Sequence, residues 1–275
     1  MTSGGVDDVL AAYDAQLRRS TSGLPPGWRA ELLDRPAPVL RLTSPEGTGW
    51  GDGVVWSDLD ESSADAAIGA AVEYFAGLGR SFEWKHHGYD RPGDLPDRLR
   101  AAGFEPEPQE TLVVAEASHL EEVLADAPAP EGVTLRRLRE DDRGRTADWN
   151  AIRALHEAVW DEDGSGLVQA VSAEHTSDPE AMSVHLAEAD DGTVVCACWV
   201  RFHSGTDFAS LWGGSTLPAY RRRGIYKALV ARRAREAAER GFRYLQVDAS
   251  DDSRPILERL GFRALTSTTP YVWRP

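Results

Sequence analysis

The chain is short of positive charge and of long apolar runs. Its 275 residues include 45 acidic and only 30 basic side chains, which gives a formal net charge of −15. A chain this acidic has no diffuse attraction for phosphate backbones, so we expect no nucleic-acid partner. No stretch approaches the roughly 18 apolar residues of a membrane-spanning helix, and no basic segment followed by an apolar run opens the chain. We therefore expect a cytoplasmic protein with no membrane partner.

Cysteine is also scarce, being limited to Cys196 and Cys198 in the run VVCACWV. On a strand, Cα atoms two residues apart are separated by about 6.6 Å, which is the far edge of disulfide geometry. Two buried core thiols are the simpler interpretation. Because no histidine or further cysteine lies nearby in the sequence, we expect no metal site.

The positive charge that is present is concentrated in one segment. Nine basic and two acidic residues between Ala219 and Arg243 give a local charge of +7. Such a concentration on an otherwise acidic chain indicates an anion-binding surface, and a solvated helix face is the alternative. We favour the solvated face for Arg232, Arg233 and Arg235. The cluster Arg221–Arg223 is different, because it follows a strand and opens a helix.

A Pro-rich stretch, DAPAPEG at residues 126–132, predicts a linker between two domains, 1–128 and 131–275. Beyond it, strand-like runs followed by helix, strand, helix and strand predict a mixed, mostly antiparallel α/β sheet flanked by helices. The order strand, helix, Gly-Phe, strand occurs twice, around Gly103-Phe104 and around Gly261-Phe262. This suggests an internal repeat, with chance repetition of a common pattern as the alternative.

The segment SLWGGSTLPAYRRRGIYKALVARRA carries the chemistry. The amides that open a helix lack intrahelical acceptors and carry about half a positive charge, so they bind phosphate readily. Gly224 removes the Cβ that would block the approach, and the neighbouring arginines add charge-assisted contacts. Gly213 and Gly214, inside the preceding strand, predict a bulge.

This segment resembles the pyrophosphate loop of the GNAT superfamily of N-acetyltransferases, Arg/Gln-x-x-Gly-x-Gly/Ala, which is matched by Arg221-Arg222-Arg223-Gly224-Ile225-Tyr226. Tyr226 departs from the small residue of that pattern. The resemblance covers residues 131–275, including the ending LERLGF, and implies two tandem GNAT-like domains. No Arg-rich glycine turn precedes the first repeat, so we expect a degenerate N-terminal copy without pyrophosphate binding.

The resemblance also implies acetyl-CoA as the co-substrate and assigns residues to it. Backbone groups of a strand end are expected along the pantetheine, namely those of Ser215, Thr216 and Leu217. The pyrophosphate is expected within the loop formed by Arg222, Arg223, Gly224, Ile225, Tyr226 and Lys227.

The usual acid of the family is missing. Counting back from Gly261, the positions of the family's Asn and Tyr are held by Ser250 and Leu257, so Ser250 or Ser253 is expected to contact CoA instead. Three further residues are the catalytic candidates, and each has a structural alternative. Asp248 shares a strand face with Ser250 and is a candidate base; the alternative is a carboxylate held in an ion pair. His203, with an ordinary pKa of about 6.5, is a second candidate base, and the alternative is a solvated histidine. Tyr271 is a candidate replacement acid, and the alternative is a core residue.

The sequence therefore predicts an enzyme that transfers an acetyl group from acetyl-CoA to a primary amine of a small molecule or peptide. The alternative is a non-catalytic acyl-CoA-binding sensor or assembly module, suggested by Leu257 and Tyr226. The resemblance puts the acidic loop Asp161–Asp163 near the acceptor, where it suits a cationic amine, unless it is simply a solvated loop. Trp212 packs against substrate or core. The acceptor is not specified, and a homodimer is left open.

Overall fold

The structure, a computed structural model, describes residues 5–21, 24, 27–45, 51–125, 127 and 130–275. The predicted linker at 126–132 lies partly outside these ranges. The α-helices of the described ranges are α1 Val6–Tyr13, α2 Ala64–Leu78, α3 Leu95–Ala101, α4 Ala117–Val123, α5 Asp142–Trp160, α6 Ser165–Ser177, α7 Ile225–Glu239 and α8 Arg254–Leu260. A short π-helix, Asp14–Arg18, follows α1, and a 3-10 helix, Pro218–Tyr220, precedes α7. The strands are β1 Arg29–Leu33, β2 Val39–Thr43, β3 Gly53–Ser57, β4 Phe82–His87, β5 Glu105–Pro106, β6 Glu110–Glu116, β7 Val133–Arg137, β8 Met182–Ala189, β9 Val194–Phe202, β10 Phe208–Thr216, β11 Tyr244–Ala249 and β12 Arg263–Trp273.

The chain folds into two compact units that do not coincide with the two halves of the sequence. The first unit contains the described residues up to Val113, together with Asp248–Ile256 and Ala264–Pro275. The second contains Val114–Val247 and Leu257–Arg263. The domains 1–128 and 131–275 remain a prediction about the sequence repeat, because the packing crosses that boundary in both directions.

In the first unit, β1, β2 and β3 are antiparallel, β3 runs parallel to β4, and β12 pairs antiparallel with β4. Helix α2 connects β3 to β4 and ends at Gly79, whose positive φ of 65° allows the chain to turn back. The core is aromatic, with Phe75 stacked on Phe82 at 4.3 Å between ring centroids. Tyr271 of β12 is buried in the same core.

In the second unit, β7, β8, β9 and β10 are antiparallel, and β10 runs parallel to β11. Helix α7 connects β10 to β11 as α2 connects β3 to β4. Both units therefore contain antiparallel strands, a helical crossover and a parallel strand in the same order. The predicted fold, a mixed and mostly antiparallel α/β sheet with flanking helices, is confirmed.

The second unit has an apolar layer on each side of its sheet, because alternate residues of a strand point to opposite faces. Ala197 and Trp199 of β9 pack with residues of α5 and α6. Cys196 and Cys198 pack on the other side with Ile225 and Leu229 of α7. Both thiols are free and fully buried, as the sequence indicates. Burial raises the pKa of Cys196 to about 12, so this thiol is inert at neutral pH.

Candidate functional site

Strand β10 is distorted where the two consecutive glycines lie. The register with β9 shifts between Gly213 and Ser215, which is the predicted bulge. Gly213 and Gly214 have φ values of 72° and 101°, a region that side chains with a Cβ rarely adopt. A Cβ on Gly213 would also lie 2.8 Å from the Trp199 ring. Both positions therefore require glycine, and the two consecutive glycines determine where the bulge forms.

The bulge follows a divergence of two parallel strands. Among the described residues, β10 pairs with β11 only through Phe208, Ala209 and Ser210. Strand β10 continues for six residues beyond this point, to Thr216, while still paired with β9. The edge of β10 after Ser210 therefore presents backbone groups to a gap instead of to a neighbouring strand.

The helix after β10 begins with an open N-terminus. Gly224, with φ 84°, is the N-cap of α7, and its carbonyl accepts the first intrahelical bond from the Ala228 amide at 3.0 Å. The amides of Ile225, Tyr226 and Lys227 precede that bond, so they have no acceptor within the helix. The sequence analysis expected the cluster Arg221–Arg223 to open this helix, but α7 begins only at Ile225. Positive φ values at Arg222 and Gly224 keep the chain non-helical until Ile225.

The basic turn before α7 is exposed and partly ordered by contacts. The Arg221 Nε donates to the Thr216 carbonyl at 3.0 Å, and the Arg223 guanidinium stacks over the Tyr220 ring at 4.7 Å. Arg223 also lines an open cavity of about 540 Å³. The loop is therefore accessible, and its exposed arginines directly precede the free amides in the chain. This is the geometry that binds a phosphate group.

Tyr226, which replaces the small residue of the family pattern, turns away from the loop. A Cβ on Gly214 would meet its ring at 2.8 Å, so the ring lies directly against the bulge. Burial raises the pKa of the Tyr226 hydroxyl. The side chain thus supports the distorted strand and does not cover the amides of the loop.

Arg233 is a buried component of this site that the sequence analysis assigned wrongly. The prediction was a solvated face, but Arg233 is only 1% exposed. Its Nη1 donates to the carbonyls of Trp199 at 3.3 Å and Trp212 at 3.4 Å, next to the bulge. Arg232 donates to the Leu135 carbonyl, and of the three only Arg235 lies exposed. Helical spacing could have suggested the burial, because Leu229, Arg233 and Ala237 recur every four residues.

The predicted pantetheine contacts are only partly available. The Leu217 amide already donates to the Val195 carbonyl at 2.9 Å, and the Thr216 carbonyl accepts from Arg221. The Ser215 hydroxyl accepts a hydrogen bond from the Trp160 indole at 2.9 Å. The remaining backbone groups between the bulge and Thr216 are the ones that can take a ligand.

His203 belongs to a small network that the sequence did not suggest. Its Nε2 is hydrogen-bonded to the Ser210 Oγ at 2.8 Å, and the same oxygen accepts the Trp212 indole N–H at 2.7 Å. Burial and the charge of Arg201 lower the pKa of His203 to about 4. The imidazole is therefore neutral at pH 7, and the network fixes the orientation of Trp212.

The other predicted catalytic residues lie in the first unit. Asp248 follows Val247 directly in β11, and its carboxylate is ion-paired with Lys85 at 3.4 Å and accepts from the Thr268 hydroxyl at 3.3 Å. Tyr271 is enclosed by the aromatic core, the structural alternative that the sequence left open. No direct observation tests the catalytic roles of Asp248, His203 and Tyr271, which remain predictions.

The two predicted CoA-contacting serines form the turn that opens α8. The amides of Ser253 and Arg254 donate to the Ser250 carbonyl at 3.1 and 2.8 Å, and the two serine hydroxyls lie 3.2 Å apart. The contact of Ser250 and Ser253 with CoA stays a prediction. Leu257, at the position of the family's acid, is completely buried.

The equivalent region of the first unit is closed by the protein's own side chains. Strands β3 and β4 also diverge, after Gly53 and Val54. The Val55 carbonyl beyond that point accepts from the Arg18 Nε at 3.2 Å, and Arg18 is held by two hydrogen bonds of 3.0 Å to Asp90. The gap between these strands is therefore filled by the buried Arg18, the last residue of the π-helix Asp14–Arg18 that follows α1.

The helix of the first unit that corresponds to α7 is equally unsuited to an anion. The Asp60 carboxylate lies just before α2 and accepts from the amides of Ser62 and Ser63, each at 2.9 Å, and from both hydroxyls. These bonds lower the pKa of Asp60. A carboxylate thus lies in the turn just before α2, where it disfavours a second anion. The absence of pyrophosphate binding in the N-terminal copy stays a prediction.

Neither a membrane span nor a metal cluster is found in the part of the chain that the structure describes. No helix there is long and apolar enough to cross a bilayer. No group of three or more His, Cys, Asp or Glu side chains within those same ranges is arranged to hold a metal ion.

The sequence was compared with known proteins at the level of family and of structure. Residues 149–262 match the model of the acetyltransferase (GNAT) family. No curated protein matches the chain. The matched stretch includes the bulge and the basic loop.

Solved structures with the same fold include other GNAT proteins. A GCN5-related N-acetyltransferase from Kribbella flavida has a TM-score of 0.66 at 17% identity, covering 99% of this chain and 96% of that one. A tandem GNAT protein from the clavulanic acid biosynthesis pathway has a TM-score of 0.58 at 14% identity, with 91% and 84% covered. A GCN5-related N-acetyltransferase from Sphaerobacter thermophilus gives 0.55 at 15% identity, with 86% and 81% covered. At these identities the likeness concerns the fold alone.

Proposed function

We propose that the chain is an acetyl-CoA-dependent N-acetyltransferase that acts on a primary amine of a small molecule or peptide. The observation that carries this proposal is the open N-terminus of α7, with Arg222 and Arg223 exposed beside it, at the end of a bulged strand that has diverged from β11. The GNAT match over residues 149–262 supports acyl transfer in general. In this proposal the C-terminal domain, 131–275, binds acetyl-CoA, and the N-terminal copy, 1–128, does not.

The residues present fit the charge and shape of CoA. A diphosphate needs hydrogen-bond donors and positive charge together, and the free amides of Ile225–Lys227 supply the donors. Arg222, Arg223 and Lys227 are exposed and supply the charge. The flexible pantetheine arm would lie along the edge of β10 beyond Ser210, where strand pairing has ended.

The bound co-substrate would supply an activated thioester. The amine nitrogen forms a bond to the carbonyl carbon, the C–S bond breaks, and the sulfur leaves as a thiolate while the amine loses a proton to a base. An amine with a pKa of about 10.4 needs that base, and Asp248 is our candidate. Amides of the bulge would stabilise the oxyanion. A thiol with a pKa of about 8.5 leaves without strong acid assistance, which is compatible with Leu257 at the acid position.

A thiol-release assay with acetyl-CoA and a panel of primary amines tests the proposal. We expect amine-dependent release in the wild type, together with thermal stabilisation by CoA. Stabilisation without turnover on any amine would favour the alternative, an acyl-CoA sensor or assembly module. The buried Leu257 at the position of the family's acid is the feature that favours this alternative. If CoA does not stabilise the protein and no amine is acetylated, both functions are rejected.

A further inference from the structure

Two exposed tryptophans are anchored to the same strand on either side of the bulge. The Trp160 indole N–H donates to the Ser215 hydroxyl at 2.9 Å, and the Trp212 indole N–H donates to the Ser210 hydroxyl at 2.7 Å. The two side chains are nevertheless 57% and 42% exposed. Tryptophan usually buries most of its surface, so two indoles that are fixed in orientation yet left open to solvent need a function.

Both tryptophans lie on one face of the second unit's sheet. Trp212 is paired with Trp199, and Ser215 with Ala197, across the antiparallel ladder. Directly paired residues project to the same side, and Trp199 and Ala197 both pack against α5 and α6. The Trp160 ring reaches this side from the last residue of α5. The rings therefore flank the glycine pair on the face opposite α7.

Charge on this face favours a cation and disfavours an anion. Arg201 stacks over the Trp212 ring at 4.5 Å, but Glu174 binds its guanidinium through two hydrogen bonds of 2.6 and 2.7 Å. That pair is electrically neutral and holds one face of the ring. The loop that follows Trp160 begins with three acidic residues, Asp161–Asp163. A protonated amine is attracted to such a surface, and a carboxylate is repelled.

We propose that Trp160 and Trp212 form the acceptor-binding surface of the enzyme, and that they select a primary amine attached to an apolar, planar body without a carboxylate. The free ring faces contact that body, and the amine nitrogen points toward the Gly213–Gly214 bulge. This proposal rests on the proposed function and deepens it by naming the acceptor class. Flat apolar groups gain dispersion and burial against indole rings that are already oriented.

The test measures binding before transfer, so that it does not depend on turnover. Calorimetry with the CoA-saturated protein compares three amines: phenethylamine, butylamine, which lacks the ring, and phenylalanine, which adds a carboxylate. We expect phenethylamine to bind at least tenfold more tightly than either of the others. Equal affinities for the three amines would overturn the proposal, while a separate titration of the ligand-free protein with CoA reports on the proposed function.

Variants assign the preference to the two rings. Trp160→Ala and Trp212→Ala should each raise the KM for phenethylamine at least tenfold and leave the KM for acetyl-CoA within twofold. The matched control is Val123→Ala, which shortens another exposed apolar side chain of the second unit. Trp160→Phe and Trp212→Phe, which keep a ring but lose the anchor, should fall between wild type and alanine. Unchanged discrimination between phenethylamine and butylamine in correctly folded alanine variants would also overturn the proposal.

Discussion

The arginines at the start of α7 differ in their surroundings from those further along it. Arg222 and Arg223 are exposed beside the open amides, whereas Arg233 is buried and donates to two strand carbonyls. The first two are available to a ligand, and the third holds the strand that the ligand would follow. The turn before α7 and the helix itself therefore carry arginines in different environments, and local composition does not distinguish them.

Reversing the charge at the mouth of the loop should weaken CoA binding selectively. We expect Arg222→Glu with Arg223→Glu to lower CoA affinity tenfold or more, about 1.4 kcal/mol, because two attractive charges become repulsive. Calorimetry provides the measurement. The control, Arg143→Glu with Arg235→Glu, makes the same change in net charge at exposed arginines of the second unit. Unchanged affinity in the loop variant, or an equal loss in both, would exclude a phosphate site here.

The ion pair between Asp248 and Lys85 makes the predicted base testable. Burial lowers the pKa of Lys85, but the charges of Asp248, Glu83 and Glu110 outweigh it and raise the pKa overall, so Lys85 is a cation. If Asp248 is the base, Asp248→Asn should remove the rise of the rate with pH. Lys85→Met should lower kcat as well, because it removes the ion pair that holds the Asp248 carboxylate in place. A wild-type pH–rate profile in Asp248→Asn would leave Asp248 with only a structural role.

At the level of elements, α2 and α7 occupy equivalent positions in the two repeats but have different N-termini. Exposed arginines precede the free amides of α7, while a carboxylate, that of Asp60, lies in the turn before α2. The neighbouring strand gap of the first unit is filled by Arg18. The two units thus share an order of elements and differ in the charge that precedes the connecting helix.

This difference predicts a stoichiometry of one CoA per chain. Titration of the full chain with CoA should give a single set of sites, and the Arg222→Glu, Arg223→Glu variant should weaken that whole set. A second equivalent of CoA that survives the loop substitutions would show that the first unit binds it as well. Asp60→Ala removes the carboxylate before α2 but not Arg18, so we expect it to leave the stoichiometry at one. A second equivalent of CoA in this variant would show that Asp60 alone keeps CoA out of the first unit.

The sequence predicted those parts of the site that depend on neighbouring residues. Consecutive glycines identified the bulge, and glycine after arginines identified the loop, because positive φ and free amides are local properties. The network of His203, Ser210 and Trp212 was missed, because it depends on the register between β9 and β10. The anchoring of Trp160 to Ser215 joins residues 55 positions apart, and no spacing rule connects them.

At the level of the whole molecule, the repeat predicted the order of elements but not the division into compact units. The prolines of residues 126–132 predict a linker and a division of the chain there. The packing follows strand pairing instead, and β12, the last strand of the chain, pairs with β4 of the first unit. The first unit is therefore completed by a strand from the far end of the sequence.

Buried histidines should make the folded chain sensitive to acid. Burial, reinforced by the charges of Arg18 and Lys85, lowers the pKa of His87 to about 2. An unfolded histidine titrates near 6.5, so below that pH the unfolded chain binds a proton that the folded chain does not. Stability therefore falls as the pH drops from about 6.5 toward 2, by about 1.4 kcal/mol per pH unit from His87 alone.

Urea unfolding at pH 7.5 and 5.0 measures this contribution. The wild type should lose about 2 kcal/mol through His87 between these values, in addition to the losses from other groups. His87→Leu should be less stable than wild type at pH 7.5, since it loses the contact with Tyr13, but its free energy of unfolding should fall by about 2 kcal/mol less on acidification. His119→Leu, at an exposed histidine, is the control for loss of an imidazole. Parallel acid losses in wild type and His87→Leu would mean that the His87 imidazole is protonated equally in the folded and unfolded states.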